Sequence, residues 1–312
     1  MSTLPQKINV PDDASGLPMT LPRLFEKKRL GEPIVMVTAY DYPSALAVDA
    51  AGVDLVLVGD SGAMTVLGHP STVPVELDEL LMLAKAVRRG LRTPFMIGDL
   101  PFGSYEVSDE QAITTAMRFV KEAGCDVVKL EGGGPVSVAR AKAISQAGIP
   151  VMGHVGLTPQ TATALGGFKA QGKTAGSASQ IAEQALALQE AGCFAIVFEA
   201  IPAQITEVLM QRMTIPVIGI GAGPATDGQV LVFHDLLGIF GGHAPKFVKR
   251  YAEVREEMIR GVGEYAREVR ERSFPSPEHS YVVDPAELEA FRSYLDPDTP
   301  SPFGGDWAAT EI

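Results

Sequence analysis

A chain of 312 residues with 46% hydrophobic content can bury one large core, and a single barrel of about 250 residues with terminal extensions suits it better than two equal domains. Its formal net charge of -12 argues against nucleic acid or an anionic membrane as partner, because both demand a basic face that displaces counterions. Two cysteines make no disulfide framework; Cys125 and Cys193 each follow an Ala-Gly pair and precede an apolar run, which reads as small buried hydrophobes.

Residues 1–20 are rich in Pro, Asp and Ser and are expected to be a loosely ordered extension. They lack the basic-then-apolar pattern of a secretory signal. No apolar run in the chain reaches the ~18 residues that span a bilayer, so a cytoplasmic protein is expected. A first strand is expected over 33–40. Next comes Ala51-Gly52-Val53-Asp54 followed by Leu55-Val56-Leu57-Val58. Gly ends a helix by taking the left-handed conformation that a β-carbon disfavours. The short run that follows is apolar throughout, as in a strand buried on both faces.

The same junction recurs at Ala123-Gly124 before Val127-Val128-Lys129-Leu130, at Ala147-Gly148 before Val151-Met152, and at Ala191-Gly192 before Ala195-Ile196-Val197-Phe198. Strands of the same character, without the pair, are expected over 94–97 and 216–220, and a weak last one near Leu231-Val232-Phe233. Amphipathic stretches over 77–89, 109–122 and 179–190 read as helices between them. Strands alternating with helices imply parallel βαβ units. About eight such units predict an α/β fold, a closed (β/α)8 TIM barrel over 21–273, rather than an open doubly wound sheet. Residues 274–312 form a Pro-rich C-terminal extension. Within it Asp284-Pro285-Ala286-Glu287 starts a short helix over 285–295, with Asp as N-cap and Pro at the first position.

In such a barrel the chemistry collects at the C-terminal ends of the strands. The second strand ends in Gly59-Asp60-Ser61, the third in Gly98-Asp99, the fourth in Lys129-Leu130-Glu131, the fifth in Gly153-His154 and the sixth in Phe198-Glu199. One carboxylate at a strand end is commonly a helix cap or an ion-pair partner. Five ionisable strand ends on one rim are different, because acids sharing a mouth repel unless a cation or base neutralises them. Carboxylates at adjacent rim positions suit Mg²⁺, which takes oxygen ligands and keeps waters. Zinc suits the chain poorly, since its five histidines show no ligand spacing. Lys129 and Glu131 are two apart on a strand and so share a face. Lys129 therefore either touches a ligand anchored there or forms a structural ion pair with one of the acids.

Two glycine-rich motifs are discounted. Gly167-Phe168-Lys169-Ala170-Gln171-Gly172-Lys173-Thr174 fits the Walker A pattern, which works only between a strand and a helix. The preceding Leu157-Thr158-Pro159-Gln160-Thr161 is not strand-like, and Ala175-Gly176-Ser177 is expected to delay any helix. The segment reads as an active-site loop. Gly219-Ile220-Gly221-Ala222-Gly223 lacks dinucleotide spacing and reads as a tight turn or a close approach to a ligand.

The stretches Thr38-Ala39-Tyr40-Asp41-Tyr42-Pro43, Val58-Gly59-Asp60-Ser61, Val128-Lys129-Leu130-Glu131-Gly132, Met152-Gly153-His154-Val155-Gly156-Leu157-Thr158-Pro159-Gln160 and Ile218-Gly219-Ile220-Gly221-Ala222-Gly223-Pro224 resemble the ketopantoate hydroxymethyltransferase family. Asp227-Gly228-Gln229-Val230 and His234-Asp235-Leu236-Leu237-Gly238 extend the resemblance, which runs over about 21–251. That family is similar to the phosphoenolpyruvate mutase and isocitrate lyase barrels. The resemblance implies Mg²⁺ held by Asp60, Asp99 and Glu131. It implies that Asp60, Ser61, Asp99 and Lys129 contact a 2-oxo acid, that Glu199 accepts a proton, and that His154 lies near the site.

By the same resemblance, a hydroxymethyl group passes from 5,10-methylenetetrahydrofolate to 3-methyl-2-oxobutanoate, giving 2-dehydropantoate for pantothenate biosynthesis. A homo-oligomer, a decameric ring, is implied too. The alternative is a related Mg²⁺-dependent lyase or mutase acting on another 2-oxo acid. One departure stands out: the family commonly reads Gly-Asp-Ser-Leu-Gly-Met where this chain has Gly59-Asp60-Ser61-Gly62-Ala63-Met64, which alters the loop and keeps Asp60 and Ser61. The tail beyond Phe274 has no counterpart in many shorter members.

Overall fold

The four Ala-Gly junctions behave as their chemistry dictates. Gly52, Gly124, Gly148 and Gly192 take φ of 73°, 69°, 91° and 98°, and each turns the chain from a helix into a strand. Those helices are α2 (Tyr42–Ala50), α5 (Asp109–Ala123), α6 (Pro135–Gln146) and α7 (Ala175–Glu190). The computed structural model describes residues 16–241 and 245–295. The expected N-terminal extension falls largely outside the described residues, as does the chain beyond Leu295.

Eight parallel strands among the described residues close into a barrel in chain order. They are β1 (Ile34–Thr38), β2 (Leu55–Val58), β3 (Phe95–Asp99), β4 (Val127–Lys129), β5 (Val151–Gly156), β6 (Ala195–Glu199), β7 (Val217–Ile220) and β8 (Gly228–Leu231). β8 pairs with β1, matching Ile34 to Gly228 and Met36 to Val230. The other helices of this region are α1 (Leu21–Leu30), the single turn α3 (Gly62–Thr65), α4 (Leu77–Gly90), α8 (Ala203–Met210) and the short α9 (Phe233–Leu236). The (β/α)8 architecture expected from the sequence is thus present.

The chain divides into two compact units, Met1–Val254 and Arg255–Ile312. The first contains the barrel. The second contains α10 (Val254–Glu271) apart from its first residue, and α11 (Pro285–Leu295). α11 has the bounds expected from Asp284-Pro285, and the Asp284 carboxylate accepts the Ala286 N–H at 2.8 Å. Among the described residues no helix is long and apolar enough to cross a membrane.

Two elements differ from expectation. The last strand is Gly228–Leu231, upstream of the Leu231-Val232-Phe233 run. Gly228 permits it, because a β-carbon there would lie 2.3 Å from the Ile34 carbonyl oxygen. Phe233 instead opens α9, its N–H donating to Thr38 Oγ1 at 2.9 Å. Secondly, α7 begins at Ala175 rather than being delayed. Thr174 and Ser177 form a capping box, each side chain accepting the other's backbone N–H, which offsets the weak helix propensity of Gly176.

The core has two shells separated by the sheet. Inside the barrel, Met36, Leu55, Leu57, Ile97, Val127 and Met152 pack with Leu24 of α1. Outside it, Val56, Met96, Val128, Ile196 and Phe198 pack under helix residues such as Leu80, Phe119 and Leu188. Strands covered on both faces must be apolar at every position, hence the unbroken runs that marked them. Leu24 is fully buried, so its truncation to Ala would cost roughly 2–5 kcal/mol. Cys125 and Cys193 are buried and unpaired, and burial pushes both thiols up to about 12.

Candidate active site

The inner face of the barrel changes character along each strand. Residues two apart share a face, so apolar Ile97 is followed by Asp99, Val127 by Lys129, Met152 by His154 and Val197 by Glu199. Register then sets these ends side by side: Asp99 pairs with Lys129, Lys129 with Met152, and His154 with Val197. Asp60 follows β2 and Glu131 follows β4. Asp60, Asp99, Lys129, Glu131 and His154 are at most 4% exposed, whereas Glu199 stands further out, its side chain 14% exposed.

Lys129 is the hub. Its Nζ lies 2.7 Å from Asp99 Oδ1 and 3.5 Å from Glu131 Oε1. The Asp60 backbone N–H donates to Asp99 Oδ2 at 3.1 Å. His154 spans the mouth, Nδ1 3.2 Å from Glu131 Oε1 and Nε2 3.2 Å from Glu199 Oε2. Neither nitrogen is aligned as a hydrogen bond, so charge rather than direction binds these contacts. Ser61 is held from the other side, its Oγ 2.8 Å from Tyr40 OH.

The charges are strongly coupled. Burial, then the charges of Asp99 and Glu131, pushes the Asp60 carboxyl well above its usual range. Burial also raises Asp99 against the pull of Lys129. For Lys129 burial works against the charge, but Asp99, Glu131 and Asp60 outweigh it and keep the ammonium protonated above its ordinary value. Glu131 would be raised by burial, yet Lys129 and His154 bring it to about 2. His154 would be lowered by burial, yet Glu131 and Glu199 lift it to about 9. Glu131 is therefore the ionised partner, and Asp60 the acid that most readily holds a proton.

The structure thus brings Asp60, Asp99, Lys129, Glu131, His154 and Glu199 to one mouth and places Ser61 beside Asp60. Two participants escaped the sequence reading, Tyr105 and Gln160. Gln160 lies in a 3-10 turn (Pro159–Thr161) beyond β5. Its side chain donates to Asp60 Oδ2 at 3.1 Å and accepts from Tyr105 OH at 2.7 Å. Gln160 stood inside a family-like stretch, but no spacing rule marks either residue.

The Walker-like segment has no strand leading into it, since β5 ends at Gly156 and the 3-10 turn intervenes. Its Lys173 is exposed. In the second glycine run, β-carbons at Gly221 and Gly223 would come within 2.5 Å of Phe247 and Ala203, so close packing accounts for both. The altered loop after β2 also has a packing reason: a β-carbon at Gly62 would sit 2.8 Å from the Tyr40 ring.

Comparison with known proteins identifies the family of the chain. The model of the Ketopantoate hydroxymethyltransferase family matches residues 18–277. A protein named 3-methyl-2-oxobutanoate hydroxymethyltransferase 1, mitochondrial, from Arabidopsis thaliana is 51% identical, covering 89% of this chain and 82% of the relative. The enzyme of that name from Heliobacterium modesticaldum is 51% identical over 85% of this chain and 96% of the relative. Its namesake from Nitratidesulfovibrio vulgaris is 47% identical over 95% of this chain and 96% of the relative. The uncovered twentieth is shorter than the C-terminal extension, so that relative shares part of the tail.

Among solved structures, a phosphonopyruvate hydrolase in complex with oxalate and Mg²⁺ superposes with a TM-score of 0.55 at 13% identity, covering 88% of this chain and 98% of that one. A 2,3-dimethylmalate lyase of the PEP mutase/isocitrate lyase superfamily gives 0.56 at 14% identity, covering 84% and 93%. At such identities the likeness is one of fold. On the family match and the half-identical relatives, this chain belongs to the ketopantoate hydroxymethyltransferase family.

Proposed function

We propose that this barrel transfers a hydroxymethyl group from 5,10-methylenetetrahydrofolate to 3-methyl-2-oxobutanoate, giving 2-dehydropantoate on the route to pantothenate. The observation that carries the reading is the buried Asp60–Asp99–Lys129–Glu131 cluster at the mouth of a chain half identical to enzymes of that name. Cytoplasmic residence and assembly into a decameric homo-oligomer are part of the proposal, although the plant relative is named mitochondrial.

Mg²⁺ suits the donor set. Among the described residues no three His, Cys, Asp or Glu side chains are preset to hold an ion by themselves. Mg²⁺ does not require that, since it commonly takes one or two carboxylates and keeps waters. The mouth also holds more carboxylates than cations: burial first and then the charges of Asp99 and Glu131 raise Asp60, and a divalent ion would relieve that repulsion. Asp60, Asp99 and Glu131 would hold it, with Glu131 here engaged by Lys129, His154 and the Gln160 N–H. When bound, Mg²⁺ polarises the keto oxygen of the acid.

The chain's own residues supply the rest. Asp60, Ser61, Asp99 and Lys129 contact the 2-oxo acid. The Lys129 ammonium, fixed by Asp99 at 2.7 Å, sets a positive charge beside the oxygen on which negative charge develops. Glu199 removes the C3 proton, with His154 at 3.2 Å holding its carboxylate over the mouth. Water releases the folate methylene as formaldehyde, its two protons going to the two folate nitrogens as both methylene–nitrogen bonds break; the C3 carbanion then adds to the formaldehyde carbon, and the new alkoxide takes back the proton held by Glu199.

Glu199→Gln tests the base directly. Deuterium exchange at C3 of 3-methyl-2-oxobutanoate is expected to fall at least about a hundredfold, in line with the usual worth of a positioned base, while Mg²⁺ binding measured by calorimetry is unchanged. Exchange at the unaltered rate would remove Glu199 from the mechanism.

A further inference from the structure

Gln160 joins two of the mouth's acids although it comes from a different loop. Its backbone N–H donates to Glu131 Oε2 at 3.0 Å. Its side-chain Nε2 donates to Asp60 Oδ2 at 3.1 Å and to the Leu100 carbonyl at 3.0 Å. Its Oε1 accepts from Tyr105 OH at 2.7 Å. Both residues are buried, Gln160 at 5% and Tyr105 at 3% exposure.

A primary amide has an acceptor end and a donor end of nearly equal shape, so neighbours must decide which faces where. Here they do so without ambiguity. The Leu100 carbonyl can only accept, and therefore requires the NH₂ end, whose other N–H goes to Asp60 Oδ2. Tyr105 OH receives the Glu131 backbone N–H at 3.3 Å, which leaves its own proton for Gln160. That proton has a second, longer outlet on the Glu131 carbonyl at 3.4 Å. The result is a one-way chain from the Glu131 N–H, through Tyr105 and Gln160, to the Asp60 carboxylate.

We propose that Tyr105 and Gln160 are a positioning couple: Tyr105 orients the Gln160 amide so that an N–H faces Asp60, and Gln160 in turn fixes the Asp60 and Glu131 carboxylates for a divalent cation. The inference rests on the reading of Asp60 and Glu131 as the cation-holding acids. With the Tyr105 hydroxyl gone, the amide loses the partner that holds its oxygen away from Asp60. The buried amide oxygen is then left without a donor, the side chain loses its tether on that side, and the N–H it presents to Asp60 is no longer held in place.

The test compares wild type, Tyr105→Phe, Gln160→Met and the double variant, both substitutions keeping side-chain volume. Calorimetry with Mg²⁺ alone is expected to show affinity about tenfold weaker in each single variant, as for other groups that orient metal ligands. The double variant should lose much less than the sum of the two single losses, because the shortest bond of the Tyr105 hydroxyl runs to Gln160. KM for the oxo acid should rise more than kcat falls. Thermal unfolding without metal separates any purely structural loss. Wild-type Mg²⁺ affinity in Tyr105→Phe, losses that add fully in the double variant, a change in unfolding temperature alone, or a wild type that binds no Mg²⁺ would each overturn the couple. A wild type that binds Mg²⁺ but forms no 2-dehydropantoate would overturn the proposed function, and the variant comparison would still decide the couple.

Discussion

Lys129 is the residue on which the mouth balances. It stands between Asp99 and Glu131 and is 3% exposed. Removing one partner of a buried ion pair leaves an uncompensated charge and costs about 3–5 kcal/mol. Lys129→Met is therefore expected to lower Tm by on the order of 10 °C, a larger effect than loss of an exposed pair such as Arg260 with Glu264, where both side chains are over half exposed and solvent screens the attraction. Calorimetric scans of the two variants check this, and equal small shifts would mean that the acids are already neutral. Much of this site was legible because each of its ionisable residues ends or follows a buried apolar run. Tyr105 and Gln160 were not, because their meeting depends on how two loops cross the mouth, and nothing in the local sequence encodes that.

At the scale of elements, the Ala-Gly junctions were readable because helix termination is local chemistry. What local chemistry omits is the neighbour across the sheet. β8 forms at Gly228 because the Ile34 backbone passes there, a contact between the two ends of the barrel. α7 starts early because Thr174 and Ser177 cap each other, a signal that the weak Gly176 masked. Gly98 shows the same dependence inside β3. A β-carbon there would lie 2.5 Å from Phe119 Cδ1 of α5. Gly98→Ala is expected to force α5 outward and to destabilise the fold by about 1–3 kcal/mol, read as a lower urea midpoint at unchanged slope. A midpoint equal to wild type would show that the helix yields without strain.

At the scale of the whole molecule, the net charge of -12 and the eight-stranded barrel match a small-molecule enzyme. The exposed Met258, Val262 and Tyr265 fall on one stripe of α10 at helical spacing. The proposed homo-oligomer would have such a stripe available for association. Light scattering is expected to give ten times the 33.1 kDa of one chain, and a mass of a single chain would contradict the assembly.

The central claim is the reaction, and NMR of the purified protein with 3-methyl-2-oxobutanoate, 5,10-methylenetetrahydrofolate and Mg²⁺ tests it most directly. The account predicts 2-dehydropantoate that appears only with all three present and is abolished by a chelator. An oxo acid left unchanged under those conditions, or product formed equally well with the chelator, would contradict it.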